Sequence, residues 1–399
     1  MPTPSTPAPL RWALAALCVT VTVSYGVLFY AFPVLASSIA DDTGWSLPWL
    51  TAAFSVGQLV VALLGAPIGR WIDRSGPRPA MVTGSLLAFP SLAAVALAPN
   101  PVVFFAAWIP AGAASAMLFY SPAFAALTRW YGERRVRALT MLTLVAGFAS
   151  TIFAPLSAAL DSAMDWRAAF LILAGIHLVV TLPLHVIFLR PSWPQVAESD
   201  TATSGASVRS IVRGRAFICL TAAFALCAFA VYGLVMHIVP LLASRGIDAQ
   251  TASWALGLGG VGQVLGRFAY APMARRLGVI SRTVVILASC TVTTALLALL
   301  PADAALLLAA ALLSGVARGI FTLLQATAVS DRWGATNYGL LNGIMHGPLL
   351  AAIALAPWGG TVLAIAVGGY QELFVLLALG VAVATVLAAA TRPRGSGAA

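Results

Sequence analysis

The strongest constraint in this chain is the spacing of its apolar runs. About a dozen stretches of some 20 residues follow one another, separated by short segments that hold nearly all the charge. Each stretch is long enough to cross a ~30 Å hydrocarbon layer as a helix. The runs fall near 12–36, 46–68, 80–98, 102–127, 138–160 and 168–189, then near 216–243, 254–273, 283–300, 304–329, 340–366 and 373–391. Only 9% of the 399 residues are charged and 61% are hydrophobic, against about 25% charged in a soluble domain. A soluble globular enzyme, a disordered chain and a secreted disulfide scaffold are excluded, which leaves an all-α, polytopic, integral membrane protein. Arg11 leads into an apolar stretch too long for a signal peptide, so the first run reads as a retained span.

One connection has linker composition. Residues 190–215 contain Pro191, Pro194, a Ser/Thr/Gly-rich middle and Arg209, Arg213 and Arg215. It separates an N-terminal six-helix bundle, 1–189, from a C-terminal one, 216–399. All 22 basic residues are Arg, giving net +10. Eighteen of the 22 fall on the side that carries both termini and the linker, and two, Arg167 and Arg245, on the other. By the positive-inside rule both termini and the linker are expected in the cytoplasm. The net charge is thereby a topology signal, and nucleic acid drops out as a partner. Cys18, Cys219, Cys227 and Cys290 lie in apolar runs without CxxC spacing, so they read as small buried hydrophobes and no metal site is expected.

The halves echo each other. Tyr25-Gly26, Pro33 and Leu35-Ala36-Ser37 return as Tyr232-Gly233, Pro240 and Leu242-Ala243-Ser244. Trp49, Gly57-Gln58, Ala66-Pro67 and Arg70 return as Trp254, Gly262-Gln263, Ala271-Pro272 and Arg275, and Gly112 and Arg129-Trp130 as Gly315 and Arg332-Trp333. The offset drifts from 207 to 203. Two parallel six-helix repeats joined by a linker suggest a transporter, with its substrate near the midplane at the repeat interface.

Between the second and third runs stands Gly69-Arg70-Trp71-Ile72-Asp73-Arg74-Ser75-Gly76-Pro77-Arg78. Gly69 is suited to close helix contact, Asp73 to a helix end and Gly76 to a turn. The string resembles the G-x-x-x-D-R-x-G-R-[RK] loop of the major facilitator superfamily through Gly69, Asp73, Arg74, Gly76 and Arg78, departing from it at Pro77. With the spans and the repeat, the resemblance covers essentially the whole chain. It implies twelve transmembrane helices in two pseudo-symmetric bundles, and it assigns Asp73 and Arg74 to conformational gating. Gly44-Trp45-Ser46 before the second run, followed by Ala-Pro-x-x-Gly-x-x-x-Asp-Arg, is similar to bacterial members of the monocarboxylate porter and oxalate/formate antiporter branch.

Ionisable residues inside the runs are few, and each costs at least ~2.5 kcal/mol at a helix centre. They are Arg267, Arg318, His177, His185, His237 and His346. No carboxylate falls at mid-run, so the two Arg residues point to an anion as their compensating partner, and Arg suits carboxylate recognition. Arg267 resembles the Arg that the branch carries on its eighth helix. Snorkelling of Arg267 toward the cytoplasm, and bonding of Arg318 to helix carbonyls, are the structural alternatives. His237 and His346, each near Gly or Pro interruptions, are candidates to carry a coupling proton or to bond the anion. His177 and His185 read as structural. Tyr25, Tyr30, Tyr120, Tyr232, Gln325 and Asn342 are candidate cavity-lining groups, Gln58 and Gln263 interhelical bonds, and Trp166-Arg167 an interfacial anchor.

The reading that follows is a multi-pass carrier in the cell membrane, monomeric and without a cofactor. It moves a small organic anion, expected to be a monocarboxylate, together with a proton by alternating access at a site between the bundles. A drug/proton antiporter of the same superfamily is the alternative. The chain lacks the intramembrane carboxylate that cationic drugs require, a GxxxxGK[ST] nucleotide motif, and the HExxH, GxSxG or clustered Cys/His sets of an embedded enzyme.

Overall fold

A computed structural model describes residues 8–193, 205–333 and 338–391. Arg392, Arg394 and the middle of the linker, used above for topology and boundaries, lie outside the described residues. The chain divides into two compact units, Met1–Ala197 and Glu198–Ala399.

In the first unit the helices are α1 (Ala8–Tyr25), α2 (Ala31–Thr43), α3 (Leu47–Ser75), α4 (Pro77–Ala96), α5 (Pro101–Leu118), α6 (Tyr120–Tyr131), α7 (Arg135–Ala146), α8 (Ala149–Ala163) and α9 (Trp166–Phe188). A π-helical turn, Gly26–Tyr30, joins α1 to α2, so the first run is one interrupted rod over Pro9–Thr43. The second unit contains α10 (Gly205–Arg213), α11 (Arg215–Ala243), α12 (Ala249–Arg276), α13 (Val279–Leu299), α14 (Ala304–Trp333), α15 (Tyr338–Val367) and α16 (Tyr370–Ala389). Side-chain oxygens of Asn100, Asp165 and Asp248 accept from backbone N–H groups one turn on and start α5, α9 and α12. At Asp248, the Thr251 bonds hold the carboxyl below its usual range.

Among the described residues, 11 helical stretches are long and apolar enough to cross a membrane. The eighth expected run is α12, a helix of 28 residues. Its length suffices, but its glycines, Gln263 and Arg267 make it less apolar than the others. Those glycines have a packing role. A Cβ on Gly262 would meet Leu312 O at 2.0 Å and one on Gly266 would meet Val316 O at 2.2 Å. From the other side, a Cβ on Gly315 would meet Gly259 O at 2.1 Å and one on Gly319 would meet Gln263 O at 2.2 Å. The backbones of α12 and α14 therefore touch along about two turns, as helices in lipid do when small residues line a seam.

The first unit repeats the device more sparsely. A Cβ on Gly112 of α5 would lie 2.3 Å from Gly57 O of α3, and one on Gly57 would lie 2.9 Å from Trp108 O. Gly57 and Gly112 are the repeat partners of Gly262 and Gly315, so the sequence echo records two equivalent helix seams. Phe32, Phe54 and Trp108 close the core beside the first seam, with Phe32 stacked on Phe54 at 4.5 Å and Trp108 edge-on to both. Close contact expected at Gly69 is not found, because nothing lies within 4 Å of where its Cβ would be. Its neighbours Ile68 and Ile72 still pack with Ala116 and Met117 of α5, so Gly69 faces another side of α3.

Gly315→Leu is expected to force the α12–α14 seam apart and lower the melting temperature in detergent, overpacking of this kind costing about 1–3 kcal/mol or more. Gly175→Ala, where nothing lies within 4 Å, should leave melting unchanged.

Candidate functional site

The α12–α14 seam determines where the two intramembrane arginines sit. Gly319 brings its neighbour Arg318 against α12, where the guanidinium donates to Gly259 O at 3.3 Å and to Gln263 Oε1 at 3.4 Å. Gly259, Gln263 and Arg267 are spaced four residues apart, so they share one face of α12. Arg318 thus reaches the turn immediately before Arg267. Both arginines are more than nine-tenths buried. Among the described residues Arg318 meets neutral oxygens, both at long range, and no carboxylate, and its Nε has no partner. The bond to a helix carbonyl and the interhelical role of Gln263 both appear here. A small cavity beside Arg318, lined in part by Thr293, Thr294 and Ser314, opens inside the same unit. Gln325 is half-buried two turns further along α14 from Arg318.

His237 occupies a built socket. Its Nδ1 lies 2.8 Å from Gly233 O, and its Nε2 lies 3.0 Å from Thr361 Oγ1 on α15. The Thr361 hydroxyl in turn donates to Pro357 O at 3.0 Å. Gly360 leaves room for the ring, since a Cβ there would fall 2.4 Å from His237 Cε1. The Tyr370 ring covers it at 5.9 Å. His346 and Asn342 are one turn apart on α15, where His346 Nδ1 bonds Asn342 O at 2.8 Å and Asn342 Oδ1 is buried without a partner.

In the first unit Tyr30 ends the π-helical turn, half-buried and edge-on to Phe29 at 5.1 Å. Tyr120 begins α6 and lies 4.8 Å from Tyr25, which stacks on Phe119 at 4.1 Å. The two candidate tyrosines flank one aromatic cluster. His177 and His185 are fully buried and hydrogen-bonded to Ser24, Thr181 and Ser85. Trp166 is no interfacial anchor. It is 1% exposed, donates to Asp42 Oδ2 at 2.9 Å and carries Arg167 over its ring at 4.2 Å. A carboxylate at the end of α2, invisible to local reading, draws this pair inward.

The loop motif forms a compact charge knot. Gly76 turns the chain at φ +80, between α3 and α4. Asp73 pairs with Arg129 at 3.6 Å, while Arg129 also donates to Asp73 O at 3.2 Å. Trp193, from the first residues of the linker, donates to Asp73 O at 3.0 Å and lies under Arg129 at 4.7 Å. Sequence reading missed Trp193, whose only signal was an aromatic residue between two prolines. Arg74 is exposed, and Arg78, half-buried, lines an open groove with Arg190 and Trp193. The second unit keeps an ion pair at the corresponding end with other residues: Arg282 of α13 bonds Asp331 of α14, and Arg332 donates to Thr283 Oγ1 at 2.8 Å.

Comparison with known proteins adds four observations. Monocarboxylate transporter 13 of Bos taurus is 28% identical over 262 residues, 64% of this chain and 58% of that protein. The oxalate:formate antiporter of Oxalobacter formigenes is 23% identical over 241 residues, 60% of this chain and 57% of that one. The chain thus spans under two thirds of the length of these relatives. Among solved structures, a bacterial homolog to the human lysosomal transporter Spinster, inward-facing and unoccupied, aligns with a TM-score of 0.80 at 15% identity, covering 97% of this chain and 98% of that one. That likeness concerns fold alone. The family model of the Major Facilitator Superfamily matches residues 17–303 and again 218–398. Each half is matched, with the loop motif inside the first match, and the chain therefore belongs to the Major Facilitator Superfamily of membrane transporters.

Proposed function

We propose that the chain is a proton-coupled carrier of a small organic anion, a monocarboxylate in the first instance, that works by alternating access. The observation that carries this reading is the α12–α14 seam, which holds two buried arginines, Arg318 reaching the turn of α12 immediately before Arg267. Arg318 has no carboxylate to neutralise it among the described residues. An unneutralised guanidinium in a low-dielectric interior is a strong site for a carboxylate, and its planar donor pattern matches that ligand. Gln325, on the α14 face of Arg318, and the aromatic-flanked Tyr30 and Tyr120 are the further groups assigned to the substrate, with Asn342 and His346 on α15. Gly69, Asp73, Arg74, Gly76 and Arg78 are assigned to gating, and both termini to the cytoplasm. The monocarboxylate and oxalate:formate relatives support the substrate class.

The proton is assigned to His237 by counting hydrogens. Gly233 O can only accept, so Nδ1 carries a proton. Thr361 gives its single hydroxyl proton to Pro357 O, which leaves Thr361 Oγ1 as an acceptor facing Nε2. With Nε2 protonated as well, the imidazolium donates to Thr361 Oγ1; in the neutral ring Nε2 takes the Thr361 hydroxyl proton instead, so the socket accommodates both forms.

In proteoliposomes, labelled formate, lactate, pyruvate and oxalate are offered with and without an inward proton gradient. Acid outside is expected to raise uptake of at least one monocarboxylate. Failure with all four, alongside export of a hydrophobic dye, would overturn the anion reading. Arg267→Ala and Arg318→Ala should each reduce uptake about tenfold to a hundredfold, the equivalent of a charge-assisted bond of ~1.5–3 kcal/mol, with the melting temperature retained. Normal transport by both variants would remove the arginines from the site. His237→Gln should keep substrate exchange at equal pH on both sides and lose the response to the gradient. Gly360→Ala, which displaces the ring, should resemble it.

A further inference from the structure

The short helix that precedes the second unit's first span has a surface that the proposed anion site does not use. α10 runs for 9 residues. Val208, Ile211 and Val212, spaced three and four apart, share one face, and Val208 is buried. Arg209 and Arg213, four residues apart, share another face, and both are exposed. Gly214, with an extended backbone, turns the chain into α11, whose first residue is the exposed Arg215. Among the described residues none of these three arginines pairs with a carboxylate. Neither 205–230 nor 338–367 contains an Asp or a Glu.

Beside the arginines lies an apolar groove of about 360 Å³. Its walls are Val212 of α10, Ile218, Thr221 and Ala222 of α11, and Ile344 and Pro348 of α15. The volume falls in the ~300–1,000 Å³ range of small-molecule sites. Ile218 and Ile344 are both exposed, so one side of the groove is open. Arg213 directly follows Val212, and Arg215 stands three residues before Ile218. Positive charge therefore adjoins the groove at the end where α11 begins. Within it the Thr221 hydroxyl is buried and has no hydrogen-bond partner. A buried hydroxyl left in that state is costly.

Depth relates these features to one another. Thr221 is six residues beyond Arg215, a rise of about 9 Å along α11. The polar layer on each side of a bilayer's hydrocarbon is ~5–8 Å thick. With the arginines at head-group level, Thr221 falls at the inner edge of that layer, where the glycerol esters of a phospholipid lie. The apolar walls continue from there toward the hydrocarbon. A free phosphate ion would answer only the arginines, and a neutral lipid only the groove.

We infer that this groove is a site for one anionic glycerophospholipid. Its phosphate lies among Arg209, Arg213 and Arg215, an ester carbonyl accepts from Thr221, and an acyl chain follows the apolar walls. Guanidinium groups suit the phosphate oxygens, and each basic residue near a membrane surface adds to the attraction. A zwitterionic lipid offers the same phosphate but brings an ammonium into a cluster that has no carboxylate to receive it. The site therefore selects phosphatidylglycerol over phosphatidylcholine, whatever solute the chain carries.

Native mass spectrometry of the full chain in detergent tests the site, with phosphatidylglycerol or phosphatidylcholine of the same acyl chains titrated in. One phosphatidylglycerol is expected to stay bound under activation that strips phosphatidylcholine. Arg213→Ala with Arg215→Ala should weaken its binding about fivefold per charge removed. Ile218→Trp, at an exposed position, should fill the groove and remove the bound lipid. Arg275→Ala with Arg276→Ala, also exposed, should leave it in place. Equal retention of the two lipids by the wild type overturns the site. So does undiminished phosphatidylglycerol binding in either the Arg213/Arg215 variant or Ile218→Trp. An equal loss in the Arg275/Arg276 variant marks diffuse attraction to net charge and overturns it as well. Displacement of the lipid by inorganic phosphate would assign the arginines to a soluble ion, and a dimer dispersed by Ile218→Trp would assign the groove to a second copy of the chain. Either result overturns the lipid. The arginine variants change exposed positions, so they decide the matter even where Ile218→Trp fails to fold.

Discussion

Backbone-to-backbone contact at glycine is the constraint from which the second unit's chemistry follows. Helices sharing a membrane gain little from the hydrophobic effect between them, so they depend on close approach and on bonds across the gap. Gly259, Gly262, Gly266, Gly315 and Gly319 remove the side chains that would hold α12 and α14 apart. Once the helices touch, Arg318 has no route past its neighbour and must lay its guanidinium on the carbonyl of Gly259 and the amide of Gln263. The same glycines dilute the hydropathy of α12, so the least apolar of the long helices is the one that brings two cations into the interior.

Polar groups in the two units follow different rules. In the second unit charge is concentrated, and Arg318 meets neutral oxygens and no carboxylate among the described residues. In the first unit the hydroxyls and imidazoles from Ser24 through to Ser85 and His185 are joined in one line of hydrogen bonds. Matched networks rigidify a core, whereas an unmatched buried charge is costly. The contrast arises in helices that the repeat makes equivalent: Arg318 stands where the first half has Ser115, and His237 where it has Tyr30.

Much of the architecture was legible in the sequence because it rests on periodic apolarity and charge placement. The run boundaries agree with the helices to within a few residues at most ends, and the repeat glycines mark real seams at Gly57, Gly112, Gly262 and Gly315. What escaped was interaction between distant parts. Nothing local to Trp166 announces Asp42 as its acceptor, nothing in the linker announces Trp193 as the cover of Asp73, and the π-helical turn before Tyr30 has no compositional mark. His177 and His185 read as structural from the sequence, but eight residues of spacing could not name Ser24, Ser85 and Thr181 as their partners. Gly69 was misjudged on motif position alone, whereas contact depends on which face of α3 it occupies.

The ion pairs at the arginine-rich ends lead to a different kind of conclusion. In the first unit the acid, Asp73, ends α3 and the base, Arg129, lies on α6. In the second the acid, Asp331, has moved beside Arg332 on α14, and the base, Arg282, lies on α13. No single position is shared by the two pairs, yet both units retain one carboxylate–guanidinium contact at the same end. What duplication and drift have preserved is therefore a local charge balance and not a residue. A search by motif finds the loop in one half and loses it in the other, while a tally of charge at each end of each unit recovers both.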